Sequence, residues 1–400
     1  MSDLAIEWLT SSVGKNLIEE AGKFKDTLSA TSALRARYPE LDSELIRQAI
    51  TQSILKSKAP LSTPGHFLLT DEGLQQATRP QVANYRAELL REKFGRLKIL
   101  DLSCGLGFDS YFLALAGHEV MAIERDEEIS RIATHNLQAV GVPVICADAN
   151  NFEIPNDVQL VFVDPARRDP KGAKNILGQA KRISDPESWS PNWSFVKQLS
   201  HRFTVVAKLA PGFDAELIED WDAYWVSVDG DLVETMLISS DSHARFAVLL
   251  KDETSQLIEG GALTRVQDLG KYLVIPNSAL IRASALNYLA TKLDAGLVNE
   301  HIAWLTTESP LATTFHEPSA QILEILQVAK FNEKDLAKQI SAYAPGALTI
   351  TTRGINLDPE LLRKKLLKKP IKSGPEIVLA IYRDDAGTVA LICKRLPKAA

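Results

Sequence analysis

Cysteine is scarce in this 400-residue chain: the 3 present, Cys104, Cys146 and Cys393, lie far apart and form no C-x-x-C pair. That excludes a disulfide framework or a zinc knuckle and fits a reducing compartment. The 7 histidines show no metal-ligand spacing, so no metal is expected. Long hydrophobic runs are missing too. No uncharged stretch reaches the roughly 18 residues a membrane helix needs, and Asp3, Glu7, Glu19 and Glu20 interrupt the segment where a signal peptide would be apolar. The expectation is a soluble, cytoplasmic protein without a membrane partner. Neither charge dominates: with a net charge of −6, any attraction to a polyanion has to come from a local basic patch.

What is present is a change of texture along the chain. Residues 1–94 read as a helical N-terminal region, with Leu17, Ala21, Phe24 and Leu28, then Leu45, Ile46, Ala49 and Ile50, at helical spacing. Pro60 and STPGHF break that pattern, and TDEGLQQATRPQVANYRAELLREKF resumes it, opening at Thr70 with Pro80 early in a helix. Over 95–252, short strand-like runs alternate with helical ones: LKILDLS, EVMAIE, VPVICAD, VQLVFVD, FTVVAKLA, YWVSVD and ARFAVLL. Continuous Val, Ile and Leu runs suit strands covered on both faces of a parallel sheet, and the helices between the first three imply right-handed β-α-β units. The last two strands sit close enough to predict an antiparallel hairpin at the sheet edge. Residues 253–330 read as a connecting α/β region, and AQILEILQVAKFNEKDLAKQISAYAPG as one or two helices. Residues 331–400 read as a small α/β domain ending in two strands turned at DDAG.

The chemistry concentrates in KILDLSCGLGFDSYFLALAGHEVMAIE, residues 98–124. A strand stops at Asp101, Gly105 and Gly107 occupy a turn, a helix follows, and a second strand stops at Glu124. Glycines there let the backbone approach a ligand at the carboxyl end of the sheet. A phosphate loop would continue with Lys-Ser/Thr, and a dinucleotide fingerprint would put a third glycine where Ser110 stands; both are missing. Two carboxylates repel a pyrophosphate but suit a cation and ribose hydroxyls. S-adenosylmethionine, with its ammonium, sulfonium and ribose diol, matches.

On these motifs the chain resembles the class I S-adenosylmethionine-dependent methyltransferases. DLSCGLG stands in for the glycine-rich first motif, Glu124 falls where that family binds the ribose, CADANNF places Asp148 after the third strand, and VFVDPARRDPKG ends the fourth. DPARR, EGLQQAT and the basic α/β tail narrow the resemblance to bacterial methyltransferases with a THUMP-like C-terminal domain. The resemblance implies an α/β fold: a Rossmann-like seven-stranded methyltransferase core, a helical N-terminal region and a small THUMP-like domain. It further implies S-adenosylmethionine as cofactor and RNA, through a tRNA or rRNA base, as substrate, because THUMP domains bind such RNAs. Cofactor contacts are implied at Asp101, Ser103, Cys104, Gly105, Gly107, Glu124, Arg125, Asp148, Ala149 and Thr78.

Asp164 and Pro165 fall where the family keeps its catalytic motif, with Asp164 orienting the nucleophile. Amino-group methyltransferases carry Asp-Pro-Pro-aromatic there; Ala166 and Arg167 replace the last two residues, which leaves the acceptor open. Arg167 and Arg168 suit phosphate recognition, or form a solvated pair beside Asp169. Lys208 lies at the same sheet edge and could line the substrate cleft. Asp148 either reaches the adenine or caps ANNFEI, Cys104 fills space rather than acting as a nucleophile, and Thr78 and Arg86 either contact the cofactor or pack against the sheet. In the tail, RKKLLKKPIK holds six basic residues and no acid. Arg363, Lys364, Lys365, Lys368 and Lys369 are the expected RNA contacts, against the plainer reading of a solvated helix. A small-molecule methyltransferase and a non-catalytic RNA-binding adaptor stay open beside the RNA enzyme, and the oligomeric state is unread.

Overall fold

The computed structural model describes residues 2–165, 185–213, 221–262, 264–315, 318–368, 370–385 and 387–396. They fall into two compact units, one chiefly Met1–Ala210 with Met236–Asp241, the other chiefly Asp222–Thr235 with Ser242–Ala400.

The first unit opens with the predicted helices: α1 (Asp3–Thr10), α2 (Ser12–Ala21), α3 (Thr27–Arg37) and α4 (Ser43–Lys58). Side chains of Ser2, Ser11, Asp26 and Asp42 accept from first-turn N–H groups and so fix the four starts. Helix α5 (Asp71–Gln76) begins at Thr70, whose Oγ1 accepts from Gly73 N at 3.0 Å, and α6 (Pro80–Phe94) carries Pro80 in its first turn, where a missing N–H costs nothing. These helices bury Leu9, Leu17, Leu34 and Ile46 against Phe67, Leu106 and Phe108. Each such side chain contributes roughly 1.5–3 kcal/mol through burial, so the N-terminal region is anchored on the segment that follows the first strand.

That segment belongs to an alternating series: β1 (Lys98–Asp101), α7 (Phe108–Leu115), β2 (Glu119–Glu124), α8 (Glu127–Leu137), β3 (Val144–Cys146), β4 (Leu160–Val163), α9 (Trp193–Ser200) and β5 (Thr204–Leu209). The strands lie in the order β3-β2-β1-β4-β5, each parallel to its neighbour. All four residues of β4 are buried, as its unbroken apolar run predicts. Succession runs outward in both directions from β1 and β4, so a crevice opens at their carboxyl ends.

In the second unit β6 (Trp221–Val228) turns at Asp229 and Gly230, both at positive φ, into β7 (Asp231–Ser239), whose last residues return to the first unit. There Ser239 Oγ accepts from Val205 N at 2.8 Å. Strand β8 (Arg245–Lys251) pairs in parallel with β6, and β9 (Thr254–Glu259) antiparallel with β8. This corrects the hairpin expected between YWVSVD and ARFAVLL: β7 lies between them in the chain, the Asp-Gly turn joins β6 to β7 instead, and β8 arrives in the direction of β6.

The rest of that unit comprises β10 (Tyr272–Pro276), α10 (Ser278–Arg282), α11 (Leu286–Leu293), β11 (Gly296–Asn299), β12 (Ile302–Thr307), β13 (Ala320–Lys330), α12 (Glu333–Ser341), β14 (Ala347–Arg353), α13 (Pro359–Leu366), β15 (Glu376–Asp384) and β16 (Gly387–Arg395). Its sheet runs β11-β12-β10-β13-β16-β15-β14. AQILEILQVAK, expected to be helical, is strand β13. A register shift between Ile325 and Gln327 disrupts its alternation, and β10 and β16 supply hydrogen-bond partners on both sides. β15 and β16 form the expected hairpin, with Asp384 opposite Gly387. Ile377, Leu379 and Ile381 of β15 pack with α12 and α13, whereas Val378, Ala380 and Tyr382 join Trp304 and Leu391 in a separate cluster, so the strand is buried on both faces. Among the described residues no helix is long and apolar enough to cross a membrane.

Candidate cofactor and transfer site

The parallel strands of the first unit bring their carboxyl ends to one edge. Asp101, last in β1, is fully buried: Oδ1 accepts from Ser103 N at 3.1 Å and Oδ2 from Ser110 Oγ at 2.6 Å. Burial pushes this carboxyl up to about 7. Asp101 therefore braces the glycine loop from below.

The loop's two glycines do different work. Gly105 has φ +54°, its N–H donates to Glu124 Oε2 at 3.0 Å, and a Cβ placed there would meet nothing within 4 Å. Gly107 has φ +89°, and a Cβ there would lie 2.8 Å from Leu137 Cγ. One glycine faces open space, as close approach of a ligand requires; the other is needed for packing on α8. Glu124 also accepts from Asp126 N at 2.8 Å and stays half-buried, with lone pairs left for hydroxyl donors. Open backbone beside a carboxylate fits the ribose end of S-adenosylmethionine.

Around this edge, Cys104 is buried, and burial pushes its thiol well up, which leaves it unreactive. Arg125 is exposed and donates to Ser190 Oγ at 3.4 Å. Asp148 Oδ1 accepts from Asn150 N at 2.9 Å and so caps the short turn Ala149–Asn151, with Ala149 buried beside it. At the end of β4, Asp164 N donates to Ser103 Oγ at 2.9 Å, and Lys208 of β5 brings Nζ to 2.5 Å from Asp164 Oδ2. Ser103 thus ties the start of the DPARR motif to the glycine loop.

Among known proteins, a model of THUMP-like domains matches residues 320–395. A Mycobacterium tuberculosis (strain H37Rv) protein, named an uncharacterized S-adenosylmethionine-dependent methyltransferase, is 26% identical over 379 residues, which is 90% of this chain and 99% of that one. The crystal structure of a Porphyromonas gingivalis W83 protein, named as a candidate methyltransferase, superimposes with a TM-score of 0.71 at 17% identity, covering 96% of this chain and 98% of that one. The chain has the fold of the class I methyltransferases and carries a THUMP-like domain at its C-terminus.

Several residues of the first unit serve its architecture. Thr78 is buried and donates through Oγ1 to Asp109 Oδ2 at 2.6 Å; Arg86, also buried, pairs with Asp109 Oδ1 and lies 5.1 Å from the Phe162 ring centroid. Together they tie α6 to α7. Asp109 and Asn136 were not singled out from the sequence. Asn136 Nδ2 donates to Leu106 O at 2.9 Å and to Leu68 O at 3.0 Å, joining the glycine loop to the segment before α5. The only sequence signal was Asp109 standing two residues after Gly107; nothing marked Asn136. Pro165 follows Asp164 and is buried, whereas Arg167, Arg168 and Lys369 lie outside the described residues.

In the THUMP-like domain Arg363 donates to Glu360 at 2.6 Å and Lys365 to Glu333 at 3.0 Å, both as exposed pairs, while Lys364 and Lys368 are exposed on and just after α13. Among the described residues no three His, Cys, Asp or Glu side chains cluster as metal ligands would.

Proposed function

We propose that this methyltransferase uses S-adenosylmethionine to methylate RNA, with tRNA or rRNA as substrate. The cofactor supplies an activated methyl group on its sulfonium. In this reading Glu124 holds the ribose, the open backbone at Gly105 admits the cofactor, Asp148 and Ala149 meet the adenine edge, and Asp164 with Pro165 positions the acceptor. The hydrogen bond from Asp164 N to Ser103 Oγ carries the reading, because it locks the acceptor side to the cofactor loop. Fixed juxtaposition of that kind supplies much of the rate when the donor is already activated.

The RNA half is supported by the THUMP-like match over 320–395 and by Lys364, Lys365 and Lys368, cations held on the surface of an otherwise acidic chain. Arg167 and Arg168 are the further phosphate contacts in this proposal. Mass spectrometry of nucleosides from total RNA of cells with and without the gene tests it: one methylated nucleoside disappears when the gene is deleted and returns when it is restored. An unchanged nucleoside profile, together with no retention of tRNA or rRNA on filters at low salt, contradicts it.

A further inference from the structure

We infer that Lys208 is a catalytic residue which stabilises negative charge on an acceptor that reacts after losing a proton, a ring imide N–H or a ribose hydroxyl, and not an exocyclic amine. This rests on the RNA reading above and goes further by assigning the chemistry of the accepting atom.

The Lys208 side chain is 14% exposed and that of Asp164 35%, so the ion pair is largely shielded yet open on one side. Ser103 fixes Asp164 through the backbone, and Lys208 stands at the penultimate position of β5, so the ammonium is held at the acceptor side of the glycine loop. An amine acceptor takes on the positive charge of the sulfonium as it is methylated, and a neighbouring ammonium opposes that. An acceptor that has given its proton to water is neutralised instead, and the ammonium favours the anion that must form first. Ala166 and Arg167, where amine enzymes carry proline and an aromatic residue, agree. The step balances: the acceptor releases its proton to solvent, its lone pair forms the bond to the methyl carbon, and the carbon–sulfur bond breaks with its electron pair left on sulfur.

Total RNA from a strain lacking the gene is incubated with the full-length protein and S-adenosylmethionine, then digested to nucleosides and analysed by mass spectrometry. Methyl on a ring imide nitrogen or on the 2′-oxygen supports the inference, and the two are separated by whether the mass gain lies on base or sugar. Methyl on an exocyclic amine overturns it while leaving the RNA reading intact; no methyl in any nucleoside overturns both. On the substrate so found, Lys208→Met lowers kcat about 100-fold, moves the rise of the pH–rate profile to higher pH, and leaves the calorimetric affinity for S-adenosylmethionine within about threefold. Lys208→Arg, which keeps the charge, recovers at least about a tenth of the rate. An unshifted pH profile in Lys208→Met, or a cofactor affinity that falls in step with the rate, refutes the charge-stabilising role.

Discussion

The cofactor edge of the first unit and the surface of the THUMP-like domain use the same kinds of bond to opposite ends. Around the glycine loop, Arg86, Asp109, Thr78, Asp101 and Ser110 are all buried and bond to one another in two groups. On the THUMP-like domain, Arg363–Glu360 and Lys365–Glu333 are exposed pairs at comparable separations. A buried ion pair leaves an uncompensated charge when one partner is removed, whereas an exposed one exchanges its partner for water at little cost. The first arrangement fixes geometry. The second keeps cations at the solvent surface, each in a pair that water can replace.

Breaking the buried side of this contrast gives the largest effect. Arg86→Met strands Asp109 in the interior and is expected to destabilise the protein by roughly 3–5 kcal/mol, read as a lower denaturation midpoint in urea. Next comes Asp101. Its folded carboxyl titrates at about 7 against an ordinary 3.8, so between those values the folded state keeps a proton that the unfolded chain has released. Stability therefore falls as pH rises through that window, by at most about 1.4 kcal/mol per pH unit, and is flat in this contribution above it. Asp101→Asn removes the titration, so its stability relative to the parent rises with pH across the same window in parallel melts. A smaller loss, about 1–3 kcal/mol, is expected for Gly107→Ala, which forces a Cβ onto Leu137 at φ +89°. Smallest is Lys365→Ala, under about 1 kcal/mol; if α13 meets RNA as proposed, the same variant lowers the slope of log affinity against log salt by about 1.

Much of this contrast was legible in the sequence where the signal is local. Strands β1, β4 and β5 announced themselves as short apolar runs because burial on both faces demands Val, Ile and Leu, and β2 was marked by its run into Glu124; β3 was read from the same kind of run although its residues are half-buried or exposed. Strand β7 was missed: its run includes Glu234 and Thr235, and its start depends on the Asp229–Gly230 turn. Strand β13 was misread because a bulge spoils the two-residue period and leaves Ile322, Leu323, Ile325 and Leu326 at helical spacing. Within the site, the glycines and terminal acids could be read, but the difference between Gly105 and Gly107 could not. It depends on Leu137, which is 30 residues away in the chain. The bonds from Thr78 and Arg86 to Asp109, and from Asn136 to Leu106, are likewise long-range facts of packing.

Calorimetric titration of S-adenosylmethionine into the parent protein and into Glu124→Ala is the most direct test of the account. Saturable binding by the parent, weakened at least about tenfold in Glu124→Ala, a change of about 1.4 kcal/mol, is the predicted result. Equal affinity in the two proteins, or no heat from the parent at millimolar ligand, would show that the bend at Gly105 does not hold the donor.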